Sequence, residues 1–475
     1  MKITSYTFKD LFIEDSLRID YSFISLSNRN YQESYSFTDI FQEVTSNTVK
    51  DIPSGKFRYC QIGDVDSNGT VNPVSLDFEN EDRDFENVDY YKKIRNNDII
   101  KVKKGDILIS SIRPNLKKII YIDETKEDIF FTNAFIHLRS VDLRYSLINY
   151  FILRDFFLND IISVARVGKG YPTIKFSDLR YINFDKTTID KIYSNGEDNF
   201  SIISAKYQEI QKLLQESITR FDFCNEIFSK KFFWDLSEFQ KIKENRVFYR
   251  DSSIFVNSND LRMSFHFNHP IRSYIISTLQ NQNFELLKNL TTERITLGQS
   301  IKPEEYVSDG MFSNYYYVSM NTIKTWDFNA DEAKLVTSEY YLSNYENKSV
   351  AMGDVIIARS GEAIGKTSLI PKNVEGIYAD FTTRVRVDKN KILPEYFYYF
   401  TLTDFFRSLI MTDYSGLQNK NIYPKNLGDF PIPMIVLEEQ KEIVRDIEYS
   451  MKKEEQKKEK AHVVYSEIIK LLSAL

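Results

Sequence analysis

Gly353-Asp354-Val355-Ile356-Ile357 repeats, 248 positions further on, the earlier run Gly105-Asp106-Ile107-Leu108-Ile109. Each is a compact, largely β-branched run entered through a glycine, the pattern of a buried strand. Other pairs fall at nearly the same distance. Asp155-Phe156-Phe157 is echoed by Asp404-Phe405-Phe406 at 249, and Ile174, Asp178 and Leu179 stand opposite Ile422, Asn426 and Leu427 at 248. Leu17-Arg18-Ile19-Asp20-Tyr21-Ser22-Phe23 is echoed by Leu261-Arg262-Met263-Ser264-Phe265-His266-Phe267 at 244. Echoes in one order at one spacing, in a chain of 475 residues, mean two copies of one unit and not a solenoid.

Each copy opens with roughly 170 residues of short β-type runs and turns and closes on a polar, helix-forming stretch (an estimate from the spacing of the echoes). The Asp-Phe-Phe echo predicts a helix in each copy, Leu147 to Asp160 and Pro394 to Met411, with Pro394 suited to a first turn. A glycine-containing polar loop follows in both: Val167-Gly168-Lys169-Gly170-Tyr171-Pro172-Thr173, and Asp413 through Asn421. From Ile203, the apolar positions Ile203, Tyr207, Ile210, Leu214, Ile218 and Phe221 step by threes and fours, a coiled-coil-like seam. A second seam begins at Ile443 and Ile447, lapses in the charged run Lys452 to Lys460, and resumes at Val464, Ile468, Leu471 and Leu475. The alternating signs of that run leave little net field, so it reads as a solvated helix face or frayed turn.

The bulk numbers narrow the class. A hydrophobic fraction of 42% and a charged fraction of 27% are those of a globular protein of several domains. The 36 Phe and 31 Tyr serve chiefly to fill cores. A net charge of −6 excludes a non-specific polyanion binder, whose affinity would come from basic surface, but not a reader with locally concentrated cations. Two distant cysteines, Cys60 and Cys224, exclude a disulfide framework and point to a reduced, cytoplasmic setting. No apolar run approaches the roughly 20 residues that span a bilayer, so no membrane partner is expected.

Catalytic signatures are missing. Gly361-Glu362-Ala363-Ile364-Gly365-Lys366-Thr367 has three residues between its glycines where a phosphate-binding loop needs four, and Pro371 follows too soon for the required helix. His266-Phe267-Asn268-His269 lacks the glutamate of a zinc protease, and Pro270 interrupts a helix there. Neither a cofactor nor a metal is expected. The absence favours a binding protein.

Three passages carry a resemblance. They are Gly353 to Thr367, the loop Ser415-Gly416-Leu417-Gln418-Asn419-Lys420-Asn421-Ile422, and the exit Phe430-Pro431-Ile432-Pro433 running into Leu437-Glu438-Glu439-Gln440. Together they resemble the second recognition domain of the specificity subunits of type I restriction–modification systems. In the first copy, Gly168 to Leu179 resembles the matching exit. The copies differ in detail: Ser110-Ser111-Ile112-Arg113 stands where the second has Ala358-Arg359-Ser360-Gly361. The first exit reads Lys186-Thr187-Thr188-Ile189-Asp190 and meets an interruption at Asn195-Gly196.

The resemblance implies an α+β protein. Two mixed α/β target-recognition domains stand in pseudo-twofold arrangement, separated by a pair of long antiparallel coiled-coil-like helices. The implied segments are a recognition domain over 1–185, a helical spacer over 186–245, a second recognition domain over 246–436, and a second spacer over 437–475. It implies a non-catalytic subunit that reads a bipartite double-stranded DNA target and docks two methyltransferase subunits. Methylation, cleavage and ATP-driven translocation would belong to those and to restriction subunits. The rival classes are a specificity module of a related methylation-based or phage-defence system, an NTP-binding enzyme, and a protein-interaction scaffold.

The expected DNA contacts follow from charge and loop chemistry. Between Tyr91 and Lys118 nine Lys or Arg stand against two acids. Lys101, Lys103 and Lys104 lead into the strand, and Arg113, Lys117 and Lys118 follow it. Lysines guarding a strand edge against aggregation are the competing reading. In the exit loops Lys169, Tyr171, Thr173 and Lys175 face Gln418, Asn419, Lys420 and Asn421, and Arg359, Ser360, Lys366 and Thr367 form a further patch. Asn and Gln suit adenine, and Arg and Lys suit guanine, although Asn and Gly also serve turn geometry.

Overall fold

Both Gly-Asp runs become central strands of equivalent sheets. The computed structural model describes residues 12–13, 16–17, 25–26, 29, 31–45, 55–79, 88–166, 172–215, 218–245, 247–250, 262, 264–307, 313–323, 326–416 and 420–473. In the first copy Phe41–Glu43 (β1), Asp106–Ser110 (β2), Ile119–Tyr121 (β3) and Phe135–Ser140 (β4) form an antiparallel sheet in the order β1-β4-β2-β3. In the second, Thr296–Leu297 (β5), Val355–Ala358 (β6), Thr367–Leu369 (β7) and Thr382–Val385 (β8) repeat it as β5-β8-β6-β7. Every residue of β2 and β6 is buried, which is why they read as continuous apolar runs without alternation. Gly105 and Gly353 enter these strands with φ of 88° and 91°, a region that a β-carbon would strain.

The duplication extends to four further sheets, while the short pair Phe12–Ile13 with Ser16–Leu17 has no counterpart among the described residues. Val74–Asp77, Lys56–Cys60, Ile129–Phe131 and Ile100–Lys101 pair in that order, with a parallel step in the middle. Lys334–Val336, Tyr315–Val318, Glu375–Tyr378 and Ser349–Val350 do the same. Asn183–Asp185 pairs with Ser34–Ser36 as Pro431–Pro433 pairs with Phe284–Leu286.

The chain divides into two compact units, residues 1–216 with 457–475, and residues 217–456. The helices Lys186–Asp198 (α1), Phe200–Gln215 (α2), Arg220–Phe232 (α3) and Leu437–Ser473 (α4) contribute to their cores. In the first unit Ile203, Tyr207 and Ile210 join Val464, Ile468 and Leu472 in one apolar cluster with the sheet residues Ile107 and Ile109. The helices there run antiparallel: Asn195 reaches the Leu472 carbonyl, Lys206 pairs with Glu467, and Lys460 with Glu209. In the second unit Phe228, Ile443 and Ile447 pack with Val355 and Ile357. There the Ile218 amide donates to Glu454, and Lys231 pairs with Glu439.

The architecture is α+β, and several local expectations change. The first Asp-Phe-Phe helix is not continuous: Ser146–Phe151 passes through a wider turn at Ile152–Phe156 before Leu158–Ser163. Its counterpart breaks between Pro394–Thr401 and Asp404–Asp413, where the Thr403 hydroxyl accepts the Phe406 amide as an N-cap. The seam from Ile203 runs through a partly buried Leu214 and breaks before Ile218 for the same kind of reason. Thr219 and Asp222 cap each other's amides and start a new helix, leaving Ile218 42% exposed. Asn195-Gly196 is no interruption. Gly196 lies inside α1, where an added β-carbon would stand 2.4 Å from Ile148 Cδ1. The charged run Lys452 to Lys460 stays helical, and its Glu454 is buried. Among the described residues no helix is long and apolar enough to cross a membrane.

Candidate nucleic-acid interface

The site grows from the segment that leaves each central strand. Ser111, Ile112 and Arg113 follow β2, and Arg359, Ser360 and Gly361 follow β6 at a constant offset of 248. Each segment is laced to its exit loop by main-chain bonds. In the first unit Ile174 donates to the Ser111 carbonyl at 2.8 Å and Arg113 to the Pro172 carbonyl at 2.7 Å. In the second, Ile422 donates to Arg359 at 2.8 Å and Gly361 to Lys420 at 3.1 Å. The loops are closed at their bases by reciprocal bonds, Arg166 with Thr173 and Ser415 with Asn421. Strand end and loop base therefore form one mount in each unit, an arrangement in which a scaffold positions a surface loop.

Buried carboxylates hold the loop bases. Asp178 is fully buried and accepts from Arg166 Nε at 2.8 Å and from the Lys175 amide at 2.9 Å. Asp413 receives Arg262, Arg272 and Asn426, and both guanidinium groups stack on Phe267 at 4.3 Å. These bracing residues are absent from the contacts expected above. Arg262 carries a sequence signal, since it lies in the Leu-Arg echo, but Arg272 and Asp413 carry none.

The expected contacts do not form one cluster. Arg113, Lys117 and Lys118 gather where β2 ends and β3 begins, with exposed Thr173 and Lys175 on the adjoining loop base. Lys118 is half-buried, its ammonium donating to the Ile62 carbonyl at 2.7 Å. Lys103 and Lys104 sit at the opposite end of β2. Five strand residues at about 3.3 Å each separate the two groups. Lys104 is engaged by Glu124, which raises its pKa. Lys101 ends a strand of the other sheet. A cavity of about 630 Å³ beside the loop base is lined by Ser111, Asn133, Thr173 and Lys175.

In the second unit Arg359 is half-buried and its Nε donates to the Asp380 carbonyl at 3.1 Å. Lys366 occupies the turn before β7, and Lys420 lies 5.2 Å from the Tyr414 ring. His266 packs on the same ring, and burial, then Lys420, lowers its pKa. Thr367 corrects the expected set. It is fully buried, its hydroxyl 2.7 Å from that of Thr401, so it points into the core. Ser360 is also buried, held against Asn421. Lys169, Tyr171, Gln418 and Asn419 lie outside the described residues. Lys366-Thr367 opens a strand, so no helix N-terminus is there to receive a phosphate. His269 is used internally, accepting the Ile271 amide and meeting the Asn245 carbonyl. Among the described residues no group of three or more potential ligands could hold a metal.

Residues 302–462 match the family described as Type I restriction modification DNA specificity domain. Comparison with curated proteins finds no match. Among solved structures the chain is similar to a type I restriction–modification S subunit from M. genitalium, at 13% identity and a TM-score of 0.37, covering 94% of this chain and 96% of that one. It is also similar to the HsdS subunit from Thermoanaerobacter tengcongensis, at 14% identity and a TM-score of 0.32, with 89% of each chain covered. A chain from a structure of type I R-M complex assembly and conformational transition gives 14% and 0.35, with 91% and 95% covered.

Proposed function

We propose, from the type I restriction modification DNA specificity domain that the chain carries over residues 302–462, that the protein is the non-catalytic DNA-specificity subunit of a type I restriction–modification complex. The family match lies within the second copy. One observation supports extending the reading to the first: its sheets have the same strand orders, and its exit loop hangs from the same main-chain bonds. Two readers in one chain suit a split DNA target, one half for each. On this reading residues 1–185 and 246–436 are the recognition domains, and 186–245 and 437–475 are helical spacers that dock two methyltransferase subunits. Restriction and translocation subunits would join that core.

Within each reader the loop mount is the DNA-facing element. Arg113, Lys117, Thr173, Lys175, Arg359, Lys366, Lys420 and Asn421 are the contacts favoured by position, together with the loop residues Lys169, Tyr171, Gln418 and Asn419. Cations on the mount neutralise phosphates, while loop amides and guanidinium groups reach base edges. The test is methylation-aware sequencing of a host with and without this chain. Loss of one bipartite methylated motif on deletion is expected, and an unchanged methylome would overturn the reading.

A further inference from the structure

The two copies build closely similar turns after the central strand and fill them with different residues. Arg113 stands where Gly361 stands, and Lys117 where Gly365 stands, each 248 positions apart. All four have positive φ, 52° and 58° for Arg113 and Lys117, 67° and 81° for the glycines. Hydrogen bonds fix the equivalence independently. Ser110 donates to the Lys118 carbonyl as Ala358 donates to that of Lys366, and Arg113 and Gly361 donate to equivalent loop carbonyls.

Glycine takes the left-handed conformation freely, whereas a side chain with a β-carbon is strained there. The second copy uses the unstrained residue at both places. The first holds two cations there. Among the described residues the other non-glycine positive φ values belong to Asn97, Asn373, Phe233 and Trp326. Asparagine tolerates the region, and Phe233 closes α3, but Arg113 and Lys117 bracket a single partly exposed turn. That turn is locked. Leu116 donates to Arg113 at 2.9 Å, Lys117 to Pro114 at 3.0 Å, and Pro114 is buried. Strain that the surroundings hold in place collects where a side chain is needed for function.

The packing shows that position 113 is a choice. A β-carbon at Gly361 would meet nothing within 4 Å, whereas one at Gly365 would lie 2.9 Å from Ile410 Cγ2. The second copy thus has room for a β-carbon at 361 and carries none, although the left-handed backbone there would strain it as it strains Arg113. We propose that Arg113 reads a base of the first half-site, that Lys117 clamps a neighbouring phosphate, and that the second unit leaves the position equivalent to Arg113 unread. The assignment rests on the DNA-recognition reading above. A guanidinium fork matches the O6 and N7 acceptors of guanine, so guanine is the base assigned.

The experiment uses the full chain, purified with the subunits that accompany it, on duplexes carrying its methylated motif and every single-base change of it. R113G should melt no lower than the wild type, because glycine suits the turn. It should bind the motif about tenfold more weakly and lose discrimination at one guanine of one half-site. K117G should weaken binding to motif and unrelated DNA alike and lower the salt slope by about one. G361R should add preference at one position of the other half-site. An R113G complex with unchanged affinity and discrimination overturns the assignment, as does one whose weaker binding follows a lower melting temperature. A wild-type complex with no preferred motif would instead overturn the recognition reading, and this assignment with it.

Discussion

Asp106 and Asp354 show how much a single residue of the repeated pentapeptide does. Asp106 is fully buried, accepting from His137 at 2.7 Å, from Arg139 Nε at 2.7 Å and from the Lys103 amide at 2.9 Å. Asp354 receives Arg386 at 2.8 and 2.7 Å and the Ala351 amide at 2.8 Å. Burial alone would raise the Asp106 carboxyl, but the bonds from His137, Arg139 and Lys103 hold it below its ordinary value. Replacing it with asparagine leaves Arg139 facing a neutral partner and should cost about 3 kcal/mol at neutral pH, read by denaturant unfolding. A depressed native pKa gives stability that is present above the unfolded value, near 3.9, and is lost as pH falls. The gap between wild type and D106N should therefore narrow below about pH 4; a gap constant from pH 7 to pH 3 would mean that the carboxylate charge is not what matters. The Gly-Asp echo was readable because both of its residues have strict duties, a left-handed turn and a buried ion pair. Arg113 opposite Gly361 looked like divergence, since sequence alone does not reveal that two unlike residues share one backbone conformation.

At the scale of elements, what was legible depended on whether apolar pattern or local polar bonds set the boundary. The central strands and the seams at Ile203 and Ile443 follow from burial, and the structure buries them. Helix breaks at Thr219 and Thr403 follow from one side chain capturing an amide, a signal that periodicity overrides when a window is read as a whole. Thr219→Ala should fray the first turn of α3 and lower stability by about 1 kcal/mol, measurable by thermal unfolding, with loss of amide protection confined to residues near 220–223. Protection unchanged there would show that tertiary packing, not the cap, sets that boundary. The loop mounts lay between these extremes. Their positions were readable from the echo at 248, but the bracing of Asp413 by Arg262 and Arg272 joins residues more than a hundred positions apart, and no local pattern records it.

For the whole molecule, the proposed function and the duplication together predict that the two units are separable as readers. Exchanging residues 260–434 for those of a relative should change one half of the methylated motif and leave the other intact. Changes in both halves, or in neither, would contradict two independent readers. The division of the chain adds a constraint, because the first unit is completed by residues 457–475, whereas the second is a continuous stretch from 217 to 456. A chain stopped after Gln456 should keep the second unit folded. It should lose the Val464, Ile468 and Leu472 cover on Ile203 and Tyr207, seen as exchange and proteolysis confined to the first unit.

That division also bears on the order of events at the ribosome. Domains fold as their last residues emerge. The unit whose synthesis begins first is here the last to close, and the second unit is complete while the first still waits for the final turns of α4. A translating chain thus holds one finished unit and one open apolar face until residues 457–475 appear, and a premature stop in that segment leaves uncovered the unit encoded farthest from it.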